Sequence, residues 1–187
     1  MTGVQTCALP ISNFGHLTEP VVFISKLLRA FGTTSATTDF VLSDSYLPSG
    51  LQMSQDLFRS GSVFNYYPPT YTVPIVAVNG PEFALQSTST AYARINFVAD
   101  VVYKTMSTSG DRPTGTWLDF TSVVPHAGST YALTPYLNNL LMHGQMSPTL
   151  IGNVNVQLAG MSGMTTLQRI QEAVYLITTS PEYFVAR

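Results

Sequence analysis

The sequence predicts an all-α fold, an irregular helical bundle that carries one ordered loop rich in proline and tyrosine. Three observations lead there. Apolar residues recur at helical spacing in several blocks, glycines and prolines fall between those blocks, and no stretch alternates long enough to demand a sheet. At 187 residues the chain is the size of one domain and can bury a core without disulfides or metals.

Glu19-Pro20 precedes Val21, Ile24, Leu27, Leu28 and Phe31, which share one helical face, with Thr18 as the expected N-cap and Gly32 as the stop. A short helix is expected over Thr38 to Tyr46, ended by Pro48-Ser49-Gly50, with one or two more turns over Leu51 to Arg59. Ser62 to Gly80 is interrupted by Pro68, Pro69 and Pro74. It reads as an ordered loop packed on the helical body through Phe64, Tyr66, Tyr67 and Tyr71. Pro81-Glu82 opens the longest expected helix, running to about Met106, with Ala91, Ile95, Val98 and Val102 as its core face.

Ser107 to Thr116 is a polar turn, and Trp117 to Phe120 is open between a strand and a helical turn. Leu133, Leu137, Leu140 and Leu141 mark a further helix with Gly144 just past its end, and Ser147-Pro148 starts another that runs to about Ala159. Leu167, Ile170, Val174 and Ile177 form one face of the last long helix, and Ser180-Pro181 restarts a final turn through Phe184. Met142, Met146, Met161 and Met164 fall near helix junctions, where methionine fills gaps in a core.

Charged residues are 10% of the chain, against roughly 25% in ordinary soluble proteins. Solvation therefore rests on Ser, Thr, Asn, Gln and Tyr. Eight Lys and Arg against ten Asp and Glu give a net charge of −2, which offers no footprint for nucleic acid. No segment approaches the ~20 apolar residues of a membrane span. Cys7 is the only cysteine, and His16, His126 and His143 are too scattered for a local metal motif. There is no Gly-rich phosphate loop and no Gly-x-Ser-x-Gly elbow, so neither a metal nor a cofactor is expected.

The string Thr2 to Ile11, TGVQTCALPI, resembles the translation of a common sequencing-library adapter. Residues 1–12 are accordingly expected to be non-native, with Cys7 among them, and residues 13–187 to be the biological chain. Within that portion, four stretches carry a family resemblance: GHLTEPVVFISKLLRAF from Gly15, GSVFNYYPPTY from Gly61, GPEFALQSTSTAYARIN from Gly80 and AVYLITTSPEYFVA from Ala173. In order and spacing they resemble the C-terminal portion of the bacterial domain of unknown function 1800 (DUF1800) family.

The resemblance implies a C-terminal piece of a large helical protein that is exported to the periplasm or beyond. It implies two partners: the missing N-terminal region of the same protein, and a neighbour-encoded exported protein related to sulfatases. The family has no agreed activity and supplies no catalytic residue.

Candidate site residues therefore come from chemistry alone. Asn65, Tyr66 and Tyr67 bring amide and phenol groups to an ordered loop, where they can stack on and hydrogen-bond a sugar or peptide. The same residues can equally pin the loop to the bundle. Glu82, following Pro81, suits the positive end of a helix, and Glu182 after Pro181 repeats the arrangement. A paired-carboxylate hydrolase would need these acids, or Asp100 and Asp119, to converge at about 5–9 Å. Two functions stay open: a binding or structural module working on envelope or extracellular material such as glycan, or part of a glycan or ester hydrolase with its catalytic residues mainly in the N-terminal region.

Overall fold

The computed structural model describes residues 15–35, 53–56, 58–74, 77–103, 116–161 and 163–186. The adapter-like segment, the helix expected over Thr38 to Tyr46 and the polar turn over residues 107–115 lie outside the described residues. What is described is mainly helical, but not all-α. Short antiparallel strand pairs stitch the helices together.

Strand β1 (His16–Leu17) leads into α1 (Pro20–Phe31), which Gly32 ends with φ +70 before β2 (Thr33–Ser35). A hairpin of β3 (Thr72–Val73) and β4 (Val78–Asn79) lies inside the proline-rich segment that was expected to be loop throughout. A 3-10 helix, Pro81–Leu85, precedes α2 (Thr88–Tyr103), and β5 (Thr116–Leu118) follows. A 3-10 turn, Val124–His126, then leads to α3 (Thr130–Met142), α4 (Pro148–Gly160), α5 (Thr166–Thr178), α6 (Pro181–Phe184) and β6 (Val185–Ala186). β1 pairs with β6, tying together the two ends of the described chain, and β2 pairs with β5 with Thr34 opposite Trp117. These strands of two or three residues are too short to leave a period-2 signature, so only their distant partners define them.

Several local expectations are corrected. The N-cap of α1 is Glu19, not Thr18, and Pro20 is its first helical residue. Described residues within Leu51 to Arg59 form bends and turns instead of helix. The single helix expected from Pro81 is two, because Ser87 and Thr90 start a new one: Thr90 N–H donates to Ser87 Oγ at 3.2 Å and Ser87 N–H to Thr90 Oγ1 at 2.8 Å. This reciprocal pairing satisfies two amides that a continuing helix would have bonded to earlier carbonyls. At its other end, the Gln171 side chain donates to the Val102 carbonyl at 2.8 Å.

The buried face of α2 is also rotated from the expected one. Ala93, Arg94, Phe97, Val98, Val101 and Val102 are buried, whereas Ala91 and Ile95 are only half-buried. A stripe centred on an arginine does not register as a core stripe in an apolar pattern. On α5, likewise, Leu167 is exposed and Ala173 takes its place beside Ile170, Val174 and Ile177.

The core centres on Phe23, whose ring meets Phe97, Tyr183 and Phe184 edge-on with centroids 6.4, 5.8 and 5.6 Å away. Such rings gain about 0.5–1.5 kcal/mol per pair beyond area burial. Arg94 enters this cluster with 0% exposure, its guanidinium 5.1 Å from the Phe23 ring and 5.5 Å from Phe184. Its Nη2 donates to Thr18 O at 2.8 Å, while Nε and Nη1 are buried without a hydrogen-bond partner among the described residues. Burial pushes its pKa down to about 10.

A buried cation without a carboxylate destabilises, so exchanging it for an apolar side chain of similar length relieves desolvation and loses one hydrogen bond. Arg94→Met is expected to unfold within about 1 kcal/mol of the parent or above it. Arg94→Ala, which opens a cavity, should lose roughly 3–5 kcal/mol. Urea unfolding of both variants decides this: a methionine variant as damaged as the alanine one would mean that the guanidinium has a counter-charge after all.

Candidate functional site

The proline-rich segment is anchored at the start of α1, and the anchor is a carboxylate that sequence reasoning had treated only as part of a helix start. Glu19, at the N-cap, has φ −58 and ψ 147 and makes no capping bond to its own helix. Its side chain turns to the loop instead. Oε1 accepts the Tyr67 phenol at 2.8 Å, and Oε2 accepts Gln55 Nε2 at 2.5 Å and Asn65 Nδ2 at 3.4 Å. Gln55, 2% exposed, then performs the cap: its Oε1 accepts the Val21 amide at 2.9 Å, one of the N–H groups that a helix start leaves unsatisfied. The Glu19 carboxylate thereby links the helix start to two segments, the loop through Asn65 and Tyr67 and the cap through Gln55.

Asn65 adopts a left-handed φ of +74, which asparagine tolerates better than most residues. The turn is closed by Phe64 N–H donating to Ser62 Oγ at 3.1 Å and by a bridge between Ser62 and Asn65. From there Asn65 Nδ2 also reaches the Tyr67 oxygen at 3.2 Å. Tyr66 points the other way, donating to the Asp56 carbonyl and accepting Arg59 N–H at 3.3 Å. Of the three loop candidates, then, Asn65 and Tyr67 share the Glu19 centre, and Tyr66 locks the preceding turn.

Glu82 lies on the 3-10 helix, against β1. Oε1 is 3.6 Å from His16 Nδ1, and Oε2 is buried without a hydrogen-bond partner among the described residues. The residue lies in the first turn of that helix, where an acid was expected, and its side chain makes no hydrogen bond to the helix start among the described residues. Its charge is felt at Tyr67: burial first, then the Glu19 hydrogen bond and the charges of Glu19 and Glu82, push that phenol up to about 12. Near neutral pH Tyr67 is a hydrogen-bond donor and not a base. The structure therefore brings Asn65, Tyr67 and Glu82 to one locality and adds Glu19, Gln55 and His16 to it.

Glu182 does cap, but a helix other than its own. It accepts Ser147 N–H at 3.0 Å and Ser147 Oγ at 2.5 Å at the start of α4. Asp119 closes a turn onto Thr121, at 2.9 Å to the amide and 2.6 Å to the hydroxyl. His126 stacks on Tyr136 with ring centroids 3.9 Å apart. Among the described residues no three His, Cys, Asp or Glu side chains gather where a metal ion would sit, and no helix is long and apolar enough to cross a membrane.

Outside this hydrogen-bonded centre the loop offers a shallow groove of about 380 Å³, lined by Phe64, Asn65, Tyr66, Tyr67, Pro68 and Pro69. Phe64 is 62% exposed, contrary to the expectation that it packs on the bundle, and Val63 and Phe58 are exposed almost entirely. The polar groups of the loop face inward and several of its apolar groups face solvent.

Tyr67 supplies a pH signature. Its folded-state pKa of about 12 exceeds the ordinary 10.0, so the folded state holds its proton longer than the unfolded chain. The contribution is complete below pH 10 and declines as pH rises towards 12. Tyr67→Phe is expected to flatten the fall in melting temperature between pH 10 and 12 relative to the parent, and an unchanged slope would refute the burial of this phenol against Glu19. No protein-family model, curated protein or solved structure matches the chain, so its function is argued from its own residues.

Proposed function

We infer that this chain is a binding module, the C-terminal helical portion of an exported bacterial protein of the DUF1800 kind, and that it holds envelope or extracellular glycan on its proline- and tyrosine-rich loop. The observation that carries this reading is the way the loop is built. The Glu19 carboxylate and the Asp56 carbonyl take up its inward polar groups, which fixes a groove whose open side is aromatic and prolyl. A surface fixed in advance loses little entropy on binding, and aromatic faces suit the C–H faces of a sugar ring.

Asn65 donates through Nδ2, and its Oδ1 meets no protein donor among the described residues, which leaves it to accept a sugar hydroxyl. In the whole protein, the region preceding Asn13 and the neighbour-encoded sulfatase-related protein would be further partners. The net charge of −2 disfavours nucleic acid.

A second reading, part of a glycan or ester hydrolase, draws on Glu82. That residue has a buried carboxylate oxygen without a hydrogen-bond partner among the described residues, and its charge acts on the phenol that donates to Glu19, so two acids lie near one hydroxyl. The remaining catalytic groups would come from the N-terminal region. Glu82→Gln that abolishes turnover of the full-length protein while leaving melting unchanged would favour it.

Calorimetric titration with soluble peptidoglycan fragments and chitooligosaccharides tests the binding reading. Phe64 is exposed, so Phe64→Ala should leave folding intact, and it is expected to weaken binding by about tenfold, equivalent to about 1.4 kcal/mol. If no glycan binds, or if the variant binds as well as the parent, the loop is not a glycan site.

A further inference from the structure

A second concavity, remote in chemistry from the aromatic loop, opens where α1, the turn between α3 and α4, and the α6–β6 segment meet. It holds about 260 Å³, just below the roughly 300–1,000 Å³ typical of pockets for drug-sized ligands. Its one lysine is Lys26, half-buried on α1, with Nζ 4.6 Å from the centre of the Tyr183 ring. No acid lies within ion-pair reach of Lys26 among the described residues, where the ion pairs found are His16 with Glu82 and Arg59 with Asp56.

Glu182 lines the same cleft without neutralising the lysine. Both of its oxygens accept hydrogen bonds from Ser147, and its charge faces the positive end of α4. The Tyr183 phenol beneath Lys26 is 2% exposed as a residue, and its hydroxyl has no hydrogen-bond partner among the described residues. His143, held in a left-handed conformation at the end of α3, and Gln145 complete a polar wall, and Met142 and Val185 give an apolar one.

The geometry points to a site for a small monocarboxylate, free or at the end of a peptide, with its anion on Lys26 and its aliphatic part against Met142 and Val185. The single charge follows from the lining: one cation is available, and Glu182 repels a second negative charge. Small size follows from the volume. Burial that already lowers the lysine's pKa makes an arriving anion the natural counter-charge. Arg29, which lines the next shallow groove along α1 together with Lys26, adds positive potential on that side. This site is independent of the glycan reading, because none of its residues belongs to the loop.

Titration of the full chain with butyrate and with butyramide, followed by amide resonances, tests the assignment. Butyrate is expected to shift the amides of Lys26, His143 and Tyr183 saturably, with butyramide at least tenfold weaker. Lys26→Met, which keeps the aliphatic stem and removes a desolvated charge, should fold like the parent and bind butyrate at least tenfold more weakly. N-acetyl-dialanine as free acid and as amide separates the sources: tighter binding of the peptide acid than of butyrate assigns a chain terminus, and the reverse assigns a free small acid. Equal binding of acid and amide, unchanged binding by Lys26→Met, no response to either acid, or loss of butyrate binding in Phe64→Ala would each overturn the proposal.

Discussion

Thr18 and Glu19 occupy the place where the first strand, the first helix, a buried guanidinium and the proline-rich loop all meet. The Thr18 amide donates to Phe184 O at 2.8 Å and its carbonyl accepts Arg94, so the backbone is held from both sides before α1 begins. Glu19 therefore leaves the bundle in a fixed direction, and its carboxylate is available to the loop and not to its own helix. Moving this dipeptide would disturb the β1–β6 pairing, the Phe23 cluster and the loop together, because each is bonded to it or adjacent to it in sequence.

Ion pairing contributes little to this arrangement. The His16–Glu82 and Arg59–Asp56 contacts, at 3.6 and 3.9 Å, are long and partly or largely exposed, and such pairs are worth about 0–1 kcal/mol. With so few charges, the cohesion of the chain comes from ring packing around Phe23 and from hydrogen bonds that cross between segments. Hydrogen bonds to a charged group are worth about 1.5–3 kcal/mol each when desolvated, so one carboxylate with three donors can fix a loop that has little regular structure. That is why Pro68 and Pro69 can stay exposed while Tyr67 is held.

Helix periodicity carried the parts of the fold governed by local sequence. Pro20 to Phe31, Ser147-Pro148, and Ser180 to Phe184 combine apolar spacing with a start signal, and the structure places helices there. It failed where a distant residue set the local state. The break at Ser87 depends on hydroxyl bonds that compete with helix continuation, and the core stripe of α2 hides behind Arg94. In the candidate site, Asn65, Tyr67 and Glu82 were visible as residue types on a constrained segment. Glu19 and Gln55 were not, since a carboxylate before a proline and a lone glutamine look ordinary until the loop folds back across them. Glu directly before Pro20, where Ser, Thr, Asp or Asn usually caps, was the one available hint.

Arg94 sharpens the relation between stability and site. A methionine at that position would fill the space between Phe23 and Phe184, but it would offer nothing to the Thr18 carbonyl. What the guanidinium adds is direction, since a planar donor wedged between two rings has few orientations, and one of its N–H groups points at Thr18. Two donors without a partner among the described residues accompany that alignment, and desolvation works against the charge throughout. A group that costs stability yet orients the residue before Glu19 belongs to the loop's geometry more than to the core's cohesion. Arg94→Met should accordingly separate two properties that coincide elsewhere in the bundle, leaving unfolding free energy intact while loosening the loop that Glu19 holds.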